Sequence, residues 1–238
     1  MRLLALALAA IAFAGCESTQ EKSAKLEKVA RREAAHAARS KALTQRRLSV
    51  TTPSAIVKVL AATVLHSSEG AAAAVTLQNT SATTLRDVPI EITVKDAHGA
   101  TLYTNATSGL AAALVSVPLL VAHATSTWVD DQVQVSGTPA SVSAKVGEGE
   151  RVTEAVPHIA IVGAHLTEGR AEGSVVNHSA VGQHELVVYA IARRGGAIVA
   201  AGRAIVPQAE AGASEHFQAF LIGDSRGARL EVSAAGAA

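Results

Sequence analysis

Between residues 90 and 95 the chain alternates strictly: Ile90, Ile92 and Val94 are separated by Glu91, Thr93 and Lys95. A period of two puts the apolar set on one face and the polar set on the other, which predicts a half-buried β-strand. Asp96-Ala97-His98-Gly99 follows, with Asp first and Gly last, as in a type I turn, and Arg193-Arg194-Gly195-Gly196 occupies the same place later in the chain. Short strands joined by such turns predict antiparallel sandwiches. The apolar run from Leu110 to Ala122 is interrupted by Ser116 and Pro118, which predicts an edge strand or a strand-turn-strand rather than a membrane segment.

Two stretches lack this period. Leu3 to Ala12 is continuously apolar after Met1 and Arg2, shorter than the ~20 residues a membrane-crossing helix needs but suited to a secretory h-region. Residues 17–47 contain no Gly and no aromatic residue and are rich in Ala, Glu, Lys and Arg, all strong helix formers apart from the sparse interruptions. Ser18 with Glu21 forms a capping-box signature, and Glu21 with Lys25 and Glu27 with Arg31 are favourable pairs one turn apart. Leu26, Val29, Ala30, Ala34, Ala37 and Ala38 make a thin apolar face, so the helix reads as a spacer, up to ~45 Å long at 1.5 Å per residue.

The remainder repeats itself. SEGAAAAVTLQNTSATTLRDVPIEITVKDAHGATL (68–102) corresponds to TEGRAEGSVVNHSAVGQHELVVYAIARRGGAIV (167–199), aligning Gly70 with Gly169, Asn79 with Asn177, Ser81 with Ser179 and Gly99 with Gly196. Further on, Trp128 falls opposite Phe217, and Val142, Ala144 and Val146 opposite Leu230, Val232 and Ala234. Two copies of this length predict two domains, each with a small core of Val, Ile and Leu around one large aromatic anchor. The expected fold is mainly β: two tandem antiparallel β-sandwiches, 53–148 and 149–238, behind a leader (1–15) and a basic helical stalk (16–52).

Charge divides the chain in the same way. Residues 17–47 carry nine Lys or Arg against four Glu, whereas the chain after Pro53 carries eleven basic and sixteen acidic residues. The overall +1 therefore conceals a basic stalk and an acidic body. A nucleic-acid module would show a basic stripe with interleaved aromatics on its folded part; aromatics are 3% of this chain, and nucleic acid is excluded as the expected partner. Basic side chains near a membrane gain ~1 kcal/mol each from anionic headgroups, which makes such lipids a candidate partner of the stalk.

Phe13-Ala14-Gly15-Cys16, ending at the single cysteine, resembles the signal of bacterial lipoproteins, in which the leader is removed before a cysteine that then carries diacylglycerol. The resemblance implies lipidation of Cys16 and anchoring at the extracytoplasmic face of the bacterial membrane. Cys16-Glu17-Ser18-Thr19-Gln20 with the basic helix is similar to actinobacterial lipoproteins. The Asn-x-Ser turn, alternating strand and Asp-x-x-Gly turn over 55–147 and 157–235 resemble the immunoglobulin-like, FxLYD-type sandwich modules of envelope lipoproteins, with Arg193 in place of the Asp in the second copy. Those modules are non-catalytic.

Candidate chemistry is sparse. His158, His165, His178, His184 and His216 are scattered along the second copy, and neither a metal nor another cofactor is expected. Asp130 and Asp131 could form a carboxylate pair, but neighbours on a strand face opposite ways, and a solvated strand end is the expected reading. Asn79-Thr80-Ser81, Asn105-Ala106-Thr107 and Asn177-His178-Ser179 match the glycosylation sequon and are expected to be turn residues instead. No nucleophile elbow is present. The expected function is a non-catalytic envelope lipoprotein presenting two sandwiches to another envelope component, with unknown binding residues. The alternatives are an accessory or chaperone-like subunit of a membrane complex and, less favoured, a ligand-binding or hydrolytic enzyme.

Overall fold

In the computed structural model, residues 19–45 and 48–235 are described; Cys16 and the expected leader lie outside the described residues. Helix α1 runs Thr19–Gln45, and within it Arg31 Nη2 donates to Glu27 Oε1 at 2.6 Å, the ion pair the spacing predicts. The companion pair, Glu21 with Lys25, involves side chains outside the described set. Among the described residues no helix is long and apolar enough to cross a membrane. The chain divides into two units after Arg39, and among the described residues every strand belongs to the second.

That unit is mainly β, and all its strand pairs are antiparallel. In chain order it contains β1 (Val57–Ser67), β2 (Gly70–Asn79), β3 (Leu85–Lys95), β4 (Thr101–Thr104), one helical turn α2 (Ala112–Val115), β5 (Ser116–Leu120), β6 (Thr125–Val133), β7 (Ser141–Val146) and β8 (Glu150–Arg151). There follow β9 (Ile159–Thr167), β10 (Arg170–Asn177), β11 (Gln183–Arg194), β12 (Ala197–Ala209), β13 (Ser214–Phe220), β14 (Ile222–Gly223) and β15 (Arg229–Ala235). The first sandwich stacks the sheet β1-β2-β6 on a sheet built around β3, which pairs with β4, β5, β7 and β8. The second stacks β9-β10-β13 on β14-β12-β11-β15. The Leu110–Ala122 run thus yields the predicted edge strand, β5, preceded by a helical turn that its strand-like composition did not signal.

The strand registers repeat between the copies. Trp128 pairs with Val75 and Phe217 with Gly173, and these two partners lie equally far before Asn79 and Asn177. Val146, Ala144 and Val142 pair with Ile90, Ile92 and Val94; Ala234, Val232 and Leu230 pair with Val188, Ala190 and Ala192. The turns differ. Asp96 Oδ1 accepts from the His98 and Ala100 amides, and Gly99 N donates to Asp96 O, giving the expected Asp-led turn. In the second copy Arg194 pairs directly with Ala197, with Gly195 and Gly196 both at positive φ, which is a two-residue hairpin of the I′ kind.

Both faces of β2 and β11 are buried. Ala71 to Val75 are at most 2% exposed, and Leu186 to Ala192 at most 5%. On β2 and β6, Val75, Leu77 and Trp128 face the interior of the first sandwich, where Trp128 Nε1 donates to Ala113 O at 2.8 Å. By alternation Ala72, Ala74 and Val129 face the other way. The cover over that side comes from the second copy: Val187, Tyr189, Ile191, Ile198 and Ala201 belong to the same continuous hydrophobic cluster as the first sandwich. The opposite face of β11 (Leu186, Val188, Ala190, Ala192) fills the interior of the second sandwich with Phe217, Val175 and Ala171. The body is therefore four sheets deep, and the inner sheets meet with small side chains (Ala72, Ala74) on β2 and larger ones (Val187, Tyr189, Ile191) on β11.

Two glycines permit close approach within the second sandwich. A Cβ on Gly202 would lie 1.8 Å from the carbonyl oxygen of Phe220, where the chain crosses from one sheet to the other. One on Gly173 would meet the Phe217 ring at 3.0 Å.

Candidate functional site

Where the inner sheets meet at one end, the β1–β2 turn, the segment from Asp131 to Ser136, Leu102 and Ile222 enclose a cleft of about 680 Å³. Most of its wall comes from the first sandwich; Ile222 comes from the second. Backbone groups and the side chains of Gln132, Gln134 and Glu69 give it hydrogen-bonding capacity, and Leu102, Val133, Val135 and Ile222 give it apolar surface. That combination suits recognition of a polar chain or ligand with some apolar surface.

Asp130 and Asp131 do face opposite ways, but neither is a solvated strand end. Asp130 is fully buried: it accepts from the Tyr103 hydroxyl at 2.8 Å and from the Gln132 amide at 2.9 Å. Asp131, at the cleft, accepts from Arg203 Nε at 3.2 Å and from the Arg203 amide at 3.1 Å, and the Arg203 side chain is only 5% exposed. The expectation failed because β6, although an edge of its own sheet, is covered on both faces, by Tyr103 of β4 over Asp130 and by Arg203 of β12 over Asp131. Arg203 pairs across strands with Tyr189; among the described residues, Arg203 Nη1 and the Tyr189 hydroxyl are buried with no hydrogen-bond partner.

Burial raises the Asp130 carboxyl above its ordinary pKa, against the lowering effect of the Gln132 amide, the Tyr103 hydroxyl and Arg203. Burial and then the Asp130 charge push the Tyr103 phenol above its usual range, and burial does the same to Tyr189. A carboxyl with a raised folded-state pKa binds its proton more tightly when folded. Its stabilising contribution is complete below the unfolded value of about 4 and is lost as pH rises through the folded value. Asp130→Asn is therefore expected to gain stability relative to the parent as pH rises from about 4 to about 7. Thermal melts of both proteins across that range check this; a constant difference in melting temperature would contradict it.

The sequon asparagines are structural. Asn79 Nδ2 donates to Thr83 O at 2.8 Å and Leu120 O at 3.2 Å, while its Oδ1 accepts from the Ser81 amide and hydroxyl. Asn177 repeats this network with Val181 O, Ala209 O and Ser179. Asn105 spans Ile90 O, Leu114 O and the Ile92 amide. All three are fully buried, so none offers a free amide to a glycan.

Among the described residues no group of three or more His, Cys, Asp and Glu side chains is placed to hold a metal. The histidines are not all scattered, however. His158 and His178 have ring centroids 5.1 Å apart with planes inclined at 37°. His216 lies across from Ser174 on the outer face of β13, and His165 Nδ1 is 2.9 Å from Gly163 O. The His158–His178 contact was invisible in sequence because β9 and the end of β10 meet only through strand pairing. No family model and no curated protein matches the chain.

Proposed function

We propose that this chain is a non-catalytic lipoprotein of the bacterial cell envelope, anchored at the extracytoplasmic face through Cys16, that presents two immunoglobulin-like sandwiches as one recognition body. The anchor rests on the Phe13-Ala14-Gly15-Cys16 signal, and the observation that supports one recognition body is the shared hydrophobic cluster between the copies. It turns two small modules into a single scaffold, and the end cleft of the first sandwich takes one residue, Ile222, from the second. The Asp pair serves that scaffold: Asp130 is consumed by Tyr103 and Asp131 by Arg203. A basic helix of 27 residues, about 40 Å at 1.5 Å per residue, precedes the body. Its Lys and Arg residues favour an anionic lipid surface, consistent with a partner in the envelope.

Two arms test this in intact cells. A photo-crosslinking side chain at Gln134, in the cleft, is expected to capture an envelope component, whereas one at Gln218, on the outer face of β13, is not. Cys16→Ser is expected to leave the protein as uncleaved precursor or to release it from the membrane fraction. Equal capture from both positions would overturn the cleft assignment, and a correctly cleaved, salt-resistant membrane protein without Cys16 would overturn the anchor.

A further inference from the structure

We infer that His158 and His178 form a two-imidazole site for a borderline divalent transition-metal ion, strongest for Cu²⁺. The fold, rather than the side chains, places these positions together. His178 N donates to His158 O at 2.9 Å; in the first copy Thr80 N donates to Ile56 O at 2.8 Å at the same point of the repeat. Both copies thus hold two residues side by side where the strand ending at the buried Asn (Asn79 or Asn177) meets the start of its neighbour. The first copy fills the two places with Ile and Thr, and the second fills both with imidazole.

The geometry fits chelation. Two nitrogens each ~2.0–2.1 Å from one ion lie about 3 Å apart when they occupy neighbouring coordination positions. The ring centroids are 5.1 Å apart with the planes inclined at 37°, close enough for one nitrogen of each ring to share an ion. Both side chains are exposed, so water can complete the coordination. Imidazole suits Zn²⁺, Ni²⁺ and Cu²⁺, and among divalent ions of the first row Cu²⁺ binds a given nitrogen site most tightly. With two protein ligands the site is open, which suits reversible capture at the membrane exterior better than a closed structural role.

The probe is Cu²⁺ alone, titrated at neutral pH in a non-coordinating buffer into the full chain carrying Cys16→Ser, since a free thiol would bind and reduce Cu²⁺, and followed by calorimetry and by pulsed electron paramagnetic resonance. One equivalent is expected to bind with two coupled imidazole nitrogens. His158→Ala and His178→Ala each leave a single ligand and are expected to weaken that equivalent by at least about tenfold, because the second imidazole no longer acts at high effective concentration. His216→Ala is expected to leave it unchanged. Equal affinity in the parent and both variants, a single-imidazole spectrum, or loss of the equivalent in His216→Ala would each overturn the site.

Discussion

Trp128→Ala is expected to lower the stability of the body by about 3–5 kcal/mol, the usual cost of removing a large aromatic side chain from a closed core. Trp128 is fully buried and is the largest side chain in the first sandwich. It pairs with Val75 and fills the space between β6 and α2, and the substitution would also leave Ala113 O without its indole donor. Trp128→Phe keeps most of the ring volume and should cost less, so the two variants separate packing from the hydrogen bond. Urea titration followed by far-ultraviolet circular dichroism checks both. A midpoint for Trp128→Ala close to that of the parent would mean that this core is not closed around the indole.

Arg203→Ala should also be damaging, with a loss of about 1.5–3 kcal/mol, because it removes a hydrogen bond between charged groups and leaves the partly exposed Asp131 without its cation. Asp131 would keep only the amide of residue 203 as a donor. The informative comparison is the double variant Asp131→Leu with Arg203→Leu. Replacing both partners by apolar groups removes the desolvation cost of each and is often neutral or stabilising, so the double variant is expected to recover most of the loss. If it is as unstable as Arg203→Ala alone, the pair matters through its geometry rather than through the cost of an unpaired charge.

The sequence disclosed the repeat and the strands because both rest on local signals. The alternation at Ile90, Ile92 and Val94, and the paired Asn-x-Ser turns, correspond to buried positions and matched hydrogen-bond networks. The contact between the copies leaves its signal only in the positions where the copies differ in polarity. Glu91 and Thr93 of β3 stand where the second copy has Tyr189 and Ile191, so one strand shows a polar outer face and the other an apolar one. On β2, Ala72 and Ala74 stand where the second copy has Arg170 and Glu172. A strand apolar on both faces is one covered on both sides, and Leu186 to Ala192 meets that description. Asp130, Asp131 and Arg203 were harder to place, because their partners come from strands far away in the chain and leave no local pattern. The His158–His178 contact is of the same kind.

The claim that the two copies form one recognition body rather than two linked modules is tested most directly by unfolding both at once. The chain has one Trp, in the first sandwich, so its fluorescence reports that copy. Methyl resonances of Val175 and Val188, in the interior of the second sandwich, report the other. In a single urea titration the two signals are expected to change together with one midpoint, because Val187, Tyr189 and Ile191 on one face of β11 are buried in the same cluster as the first sandwich. Two separate transitions, with either copy remaining folded after the other has melted, would contradict the account.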